Sequence, residues 1–355
     1  MKLLQDEGSV AKLEDAAHHA RKRLFLDTLS PQQRDTHVQA LEDAWREALA
    51  HWAAQDRIIL LEAAEQVLLL AACRWAGIPL KPEDAAERAQ WMATVIDGTG
   101  RIGWPYWRAR IYRGKVEAWF KSIIRQIRDG QMDLPDHAAA KRVAMFEDPG
   151  RGRMSEEVAA NELLNFTRPT VAVGRFIMYM ALAVHHHPSW RDRLTGADDA
   201  TVDCFIQEVR RYYPFFPFIA GVARSDVGLG EVAIPEGRRV LLDIYGTNRS
   251  PASWDAPDTF HPERFRGYDQ VRGFGSIPQG GGDYYTSHRC PGEPLTIDLC
   301  KAAARLLVDE TEYQVPEQDL SIDLRRIPAQ PASRMMLTAV RAKAAQATPR
   351  TAGQA

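Results

Sequence analysis

Through the first two-thirds of the chain, apolar residues recur at i, i+3 and i+4, the spacing of helices that bury one face. Ser30-Pro31 joins a capping residue to a proline at the first helical position. It opens a run rich in Ala, Leu, Glu and Arg that extends to Gln55. Further helices are predicted from Ile58 to Ala76, stopped by Gly77, from Pro82 onward, and from Tyr106 to Arg128 before Gly130. Asp148-Pro-Gly-Arg-Gly-Arg-Met154 is turn chemistry and predicts an exposed loop. The longest helix is expected from Ser155 to His187, kinked near Arg168-Pro169, because proline removes an amide donor and clashes with the turn before it. His185, His186 and His187 read as its C-terminal turn and not as a metal site, since consecutive side chains diverge.

After Tyr213 the texture changes. Pro and Gly become frequent, and β-prone stretches appear at Phe218–Ala223, Arg239–Ile244 and Met335–Val340. A final helix is predicted from Pro291 towards Leu307, and residues 343–355 read as a disordered tail. No internal repeat is visible. The layout is mainly α (α+β), a helix-rich body with a small, late β region in one domain spanning residues 1–342.

Composition narrows the partners. The 45 Lys+Arg and 47 Asp+Glu give a net charge of −2, so the chain as a whole carries no footprint for nucleic acid or an anionic membrane. Nine Trp, ten Tyr and twelve Phe supply ample core material. Four scattered cysteines, Cys73, Cys204, Cys290 and Cys300, do not make a disulfide scaffold and suggest a reducing compartment. The longest apolar run, Phe176 to Val184, is too short for a bilayer, which needs roughly 20 residues. No signal peptide opens the chain, so a cytoplasmic protein without a membrane span is expected.

The chemistry concentrates in one loop, Phe274 to Glu293, where Pro278-Gln-Gly-Gly-Gly282 leads to His288-Arg-Cys-Pro-Gly-Glu293. It delivers Cys290 to the start of a helix, where the helix N-terminus favours thiolate. A phosphate cradle fits poorly, because the Gly-x-x-x-x-Gly-Lys-Ser/Thr order is absent. A nucleophilic cysteine would need a base and an orienting group, and neither pattern stands out. A free cysteine in a turn leaves the three glycines unexplained. An axial haem thiolate, which donates electron density to iron and favours O–O cleavage, fits best.

This loop resembles the haem-binding signature of cytochrome P-450 proteins, and more narrowly that of the fatty-acid peroxygenase branch. The resemblance implies haem b with Cys290 as iron ligand, and His288 and Gln279 near the haem propionates. It extends from about Glu14 to Arg341. Phe260-His-Pro-Glu-Arg-Phe265 follows Glu208-Val-Arg-Arg211 in the order the family uses, which implies that Glu208 and Arg211 form a structural ion network with Arg264. Taken alone, a Glu and an Arg three apart are usually a solvated pair. His18-His-Ala-Arg-Lys22 resembles the segment whose His and basic residue meet the propionates, and the alternative for His18 and Lys22 is solvated surface.

Arg168-Pro169 interrupts an otherwise apolar stripe. A buried arginine is expensive unless an anion meets it, and the alternatives are a snorkelling side chain or an internal pair with Glu162. Oxygen-using relatives carry an acid–alcohol pair at this place; here Arg-Pro stands there, as in the peroxygenases. Arg168 would then hold a substrate carboxylate by a bidentate, charge-assisted bond. That carboxylate would move the proton of hydrogen peroxide.

The implied partners are a fatty acid and hydrogen peroxide, with no redox protein, in a monomer or weak oligomer. Phe216, Phe218 and Ile219 resemble the lining of the alkyl channel, with plain core packing as the alternative. Relative to the family the chain is read as N-terminally shortened, and Ala11 falls where relatives place Gln or His, which tilts the expectation to hydroxylation over decarboxylation. The competing readings are an oxygen- and reductase-dependent monooxygenase, a haem protein with impaired turnover, and a haem-free thiol enzyme.

Overall fold

Helix nuclei follow the local signals closely. The computed structural model describes residues 3–4, 8–268 and 274–343. The expected disordered tail therefore lies outside the described residues, apart from Lys343. Helix α1 (Asp15–Thr28) precedes α2 (Pro31–Ala53), where the Ser30 side chain accepts from the Gln33 amide as the Ser-Pro start requires. Strand β1 (Arg57–Ile59) leads into α3 (Leu60–Ala76), which ends at Gly77 with a φ of 76°. Next come α4 (Pro82–Asp97), α5 (Trp104–Arg128) and α6 (Ala139–Met145).

Two expectations hold only in part. The segment read as an exposed loop is a hairpin of β2 (Glu147–Asp148) and β3 (Gly152–Arg153), and Asp148 is buried because its carboxylate receives Arg21 from α1. The long helix breaks, but past the proline: α7 (Glu156–Ala172) carries Pro169 inside it, and α8 (Gly174–His186) begins after a tightened turn at Val173. The Val173 amide there donates to both Pro169 and Thr170 carbonyls, at 3.2 and 3.0 Å. Proline deprives the turn before it of a bond, and the helix absorbs this and tightens one turn later, where the Gly174 backbone lies against Glu65. His185 and His186 close α8, and His187 stacks on Phe260 at 4.7 Å.

Helices α9 (Ser189–Leu194) and α10 (Asp199–Tyr212) precede the β-rich part. There β4 (Phe218–Val222) pairs antiparallel with β7 (Arg239–Asp243), and β5 (Val227–Leu229) with β6 (Val232–Ile234). A short α11 (Ile244–Asn248) and the Cys290 loop lead to α12 (Glu293–Arg305), which starts two residues later than Pro291. A π-type turn, Leu306–Glu310, joins it to β8 (Thr311–Gln314). Strand β9 (Met336–Ala342) lies between β1 and β8. Ile58, expected to begin a helix, is instead paired with Leu337 in this sheet. A three-residue strand has no period of its own, and only its distant partner reveals it.

The core is helical. One apolar cluster joins α2, α3, α8, α10 and α12, and a second joins α1, α3, α4, α5, α6 and α7. Phe25 of α1 stacks on Phe166 of α7 at 4.2 Å, which seats α1 beside the helix that carries Arg168.

Candidate active site

Backbone chemistry shapes the cysteine loop first. Gly280 and Gly282 have φ of 93° and 92°, conformations that side-chain-bearing residues avoid. The Asp283 carboxylate accepts from the amides of Tyr285 and Thr286, at 3.0 and 2.8 Å, and turns the chain back. The Cys290 amide then donates to the Gln279 carbonyl at 3.1 Å, closing the loop just before α12. Burial pushes the Cys290 thiol up, while hydrogen bonds from the Gly292 amide and the Gln279 side chain pull it down. Cys73, Cys204 and Cys300 are buried, the first and last in the helical core, and burial lifts Cys300 to about 12.

Basic groups gather on one side of this loop. Lys22, buried on α1, donates to the carbonyls of Ser287 and Arg289, the latter at 2.8 Å, and sits 5.7 Å from the Tyr284 ring. The rings of His18 and His288 are 4.0 Å apart. His18 is pushed down to about 4, chiefly by burial and then by the positive neighbours His288 and Lys22. Among the described residues, the ion pair that reaches this cluster is His288 Nε2 with Glu14, at 3.3 Å.

Gln279, expected near the propionates, has a separate set of partners. It stands not among the basic groups but behind the sulfur, its Nε2 at 3.6 Å from Cys290 Sγ and 3.0 Å from Thr296 Oγ1. The reason is Arg210 of α10, which donates to Gln279 Oε1 at 2.7 Å and to Glu293 Oε1 at 2.5 Å. Glu293 in turn receives Arg289 Nε at 2.8 Å. The sequence reading missed Arg210, Glu293 and Thr296. Each looks like an ordinary helical residue, and the one available hint was a doublet of arginines, 210–211, on an amphipathic helix.

The second arginine of that doublet faces the other way. Glu208 and Arg211 are fully buried and joined by two bonds of 2.7 and 2.8 Å. Arg264 Nε lies 3.4 Å from Glu208 Oε2, and the His261 amide donates to Glu208 Oε1 at 2.7 Å. Arg211 also donates to the carbonyls of Asn248 and Pro257. The network ties α10 to the loops on either side of Phe260.

Arg168 is buried in α7, 7% exposed, and its Nη2 donates to Asn165 Oδ1 at 2.9 Å and to the Leu4 carbonyl at 3.0 Å. Glu162 is not its direct partner: that carboxylate receives Arg21, the Val10 amide and Asn165 Nδ2. The hydroxyls of Thr167 and Thr170 donate back to carbonyls of their own helix. Of the channel candidates, Phe216 is half-buried against Phe215, whereas Phe218 and Ile219 are exposed on β4. A surface cleft of about 570 Å³ between α1, α6 and β2 is lined by Ala16, Ala20 and Arg23, on the face of α1 opposite Lys22.

These residues suit a haem: a single sulfur donor at the exit of a loop shaped by glycines at positive φ, beside the basic side chains of Lys22, His18 and His288, where propionates would find partners. Comparison with known proteins agrees. Residues 200–327 match the family Cytochrome P450. P450SP alpha in complex with (R)-ibuprophen is 39% identical with a TM-score of 0.91, over 95% of this chain and 83% of that one. P450EX alpha with myristic acid is 33% identical with a TM-score of 0.90, over 96% and 82%. A variant of P450 OleT in complex with arachidonic acid is 31% identical with a TM-score of 0.91, over 97% and 82%. Fold and site thus define a haem-thiolate oxidoreductase. The chain belongs to the cytochrome P450 family, in its fatty-acid peroxygenase branch.

Proposed function

We propose that this protein hydroxylates fatty acids next to, or one carbon beyond, the carboxyl group with hydrogen peroxide, binding haem b through Cys290 and the substrate carboxylate through Arg168. The observation that carries the reading is the guanidinium of Arg168, buried on α7 and held by Asn165 Oδ1 and the Leu4 carbonyl, while the hydroxyls of Thr167 and Thr170 beside it turn back to the helix backbone. A cation in such a place is stabilised by a bidentate carboxylate. The solved relatives P450SP alpha, P450EX alpha and OleT were captured with (R)-ibuprophen, myristic acid and arachidonic acid, all carboxylic acids.

His18, Lys22 and His288 would receive the propionates, and Phe216, Phe218 and Ile219 would flank the alkyl chain. The bound haem supplies the redox chemistry, its thiolate favouring O–O cleavage. Arg168 fixes the substrate carboxylate, which takes a proton from one peroxide oxygen and returns it to the other. One oxygen enters the C–H bond and the other leaves as water, so no flavin or ferredoxin is required. Thr167 and Thr170 have no part in the relay, because their protons point back along α7.

The test compares turnover of a long-chain fatty acid with peroxide alone against turnover with oxygen and a reductase. Peroxide alone should suffice. Arg168→Ala should weaken fatty-acid binding by about 3–5 kcal/mol, the scale of a broken buried ion pair, and abolish the substrate-induced spectral shift. Near-parental turnover of that variant, or a strict need for a reductase, would overturn the reading.

A further inference from the structure

The side chain behind the sulfur does more than fill space. We propose that Gln279 is a tuning donor to the Cys290 thiolate, held in that role by Arg210; this rests on Cys290 as the haem ligand. The orientation of a carboxamide is settled by its neighbours, since its oxygen accepts and its nitrogen donates. Arg210 can only donate, and it meets Gln279 at 2.7 Å, so the oxygen faces Arg210 and the NH2 group faces the sulfur. Thr296 Oγ1 donates to the Gly292 carbonyl at 3.0 Å, which leaves its lone pair for one Gln279 N–H at 3.0 Å. The other N–H is directed at Cys290 Sγ, 3.6 Å away.

Arg210 is itself fixed, 2% exposed and bound to Gln207 Oε1 and Glu293 Oε1 at 2.5 Å each. Glu293 closes the circuit on Arg289, the neighbour of the cysteine in sequence. The guanidinium draws charge from the amide oxygen and makes its N–H a stronger donor, as chains of hydrogen bonds do in a low-dielectric interior. A donor to the thiolate holds negative charge on sulfur, so less is given to the metal. Hydrogen bonds of this kind are among the levers by which a protein sets the reduction potential of a thiolate-bound iron.

The experiment uses the haem-loaded full chain and reads potential and bond strength, not activity. Gln279→Leu keeps the bulk and removes the donor. The ferric–ferrous equilibrium should shift about tenfold towards ferric, 59 mV more negative for one electron, and the iron–sulfur stretching frequency should rise. Thr296→Val removes the neighbouring hydroxyl but leaves the N–H on the sulfur, and its potential should stay close to the parental one. If the Leu variant does not take up haem, Gln279→Met, equally without a donor and more adaptable, should give the same shift.

A parental potential and stretching frequency in the donor-free variant would overturn the proposal. So would an equal shift in Thr296→Val, which would mark a general packing effect. Failure of the haem-ligand reading is seen separately, as a parental protein whose reduced carbon-monoxide complex lacks the thiolate band.

Discussion

Two kinds of basic cluster coexist in this molecule. Arg21, Arg175 and Arg211 are each met by carboxylates: Arg21 by Asp148 and Glu162, Arg175 by Glu65 and Asp97, Arg211 by Glu208. Across the cysteine loop, the buried His18 and Lys22 and the exposed His288 crowd one another, and the acids that reach them among the described residues, Glu14 at His288 and Asp283 towards Lys22, are both exposed. The first group joins distant segments and is complete without a ligand. The second is held together by backbone carbonyls and ring contact, and carboxylates reach it only from exposed positions. Buried charge that is already paired braces a fold, whereas basic groups gathered beside a lone sulfur suit an anionic ligand.

The largest contrast should come from breaking a complete pair. Arg211→Met leaves the Glu208 carboxylate, which has no exposure, with the longer Arg264 contact and the His261 amide in place of its bidentate partner, and should cost about 3 kcal/mol in denaturant unfolding. A loss below about 1 kcal/mol would place this network with the second group.

A buried cation that never forms gives the next effect. His37 is fully buried, stacked on Trp75 at 4.7 Å, and neither ring nitrogen has a hydrogen-bond partner among the described residues. Burial pushes it down to about 3 from an ordinary 6.5, so the folded state holds it neutral. Its contribution is fully present above pH 6.5 and is lost as pH falls from there towards 3. Between pH 7.5 and 5 the loss should be about 2 kcal/mol. His37→Phe should flatten that limb of the stability profile, and an unchanged profile would refute the assignment.

Lys22→Met sharpens the comparison from the other side. It should change the stability of the haem-free chain by less than about 1 kcal/mol, since it relieves repulsion while losing two carbonyl contacts, yet haem should dissociate faster. A destabilisation as large as that of Arg211→Met would make Lys22 a brace. The smallest effect belongs to the surface pair Arg74–Glu47, where Arg74→Ala should move stability by about 0–1 kcal/mol.

Much of this was legible in the chain. The helix starts at Ser30-Pro31 and Ser155, the stop at Gly77 and the glycine-rich approach to Cys290 are local chemistry, decided within a few residues by capping and by permitted φ. Periodicity likewise marked the mainly α body, because a helix face repeats its burial every turn.

What the tertiary structure alone decided was the choice of partner. Arg210 and Arg211 are adjacent and chemically identical, yet a turn of 100° per residue sends one to Gln279 and Glu293, 69 and 83 positions away, and the other to Glu208. The same holds for Asp148, drawn out of an apparent surface loop by Arg21, 127 positions earlier, and for Ile58, claimed by β9. Local propensity is set by short-range sterics and hydrogen bonding and can be read along the chain. The pairing of charges depends on which faces meet after collapse, which no single segment contains.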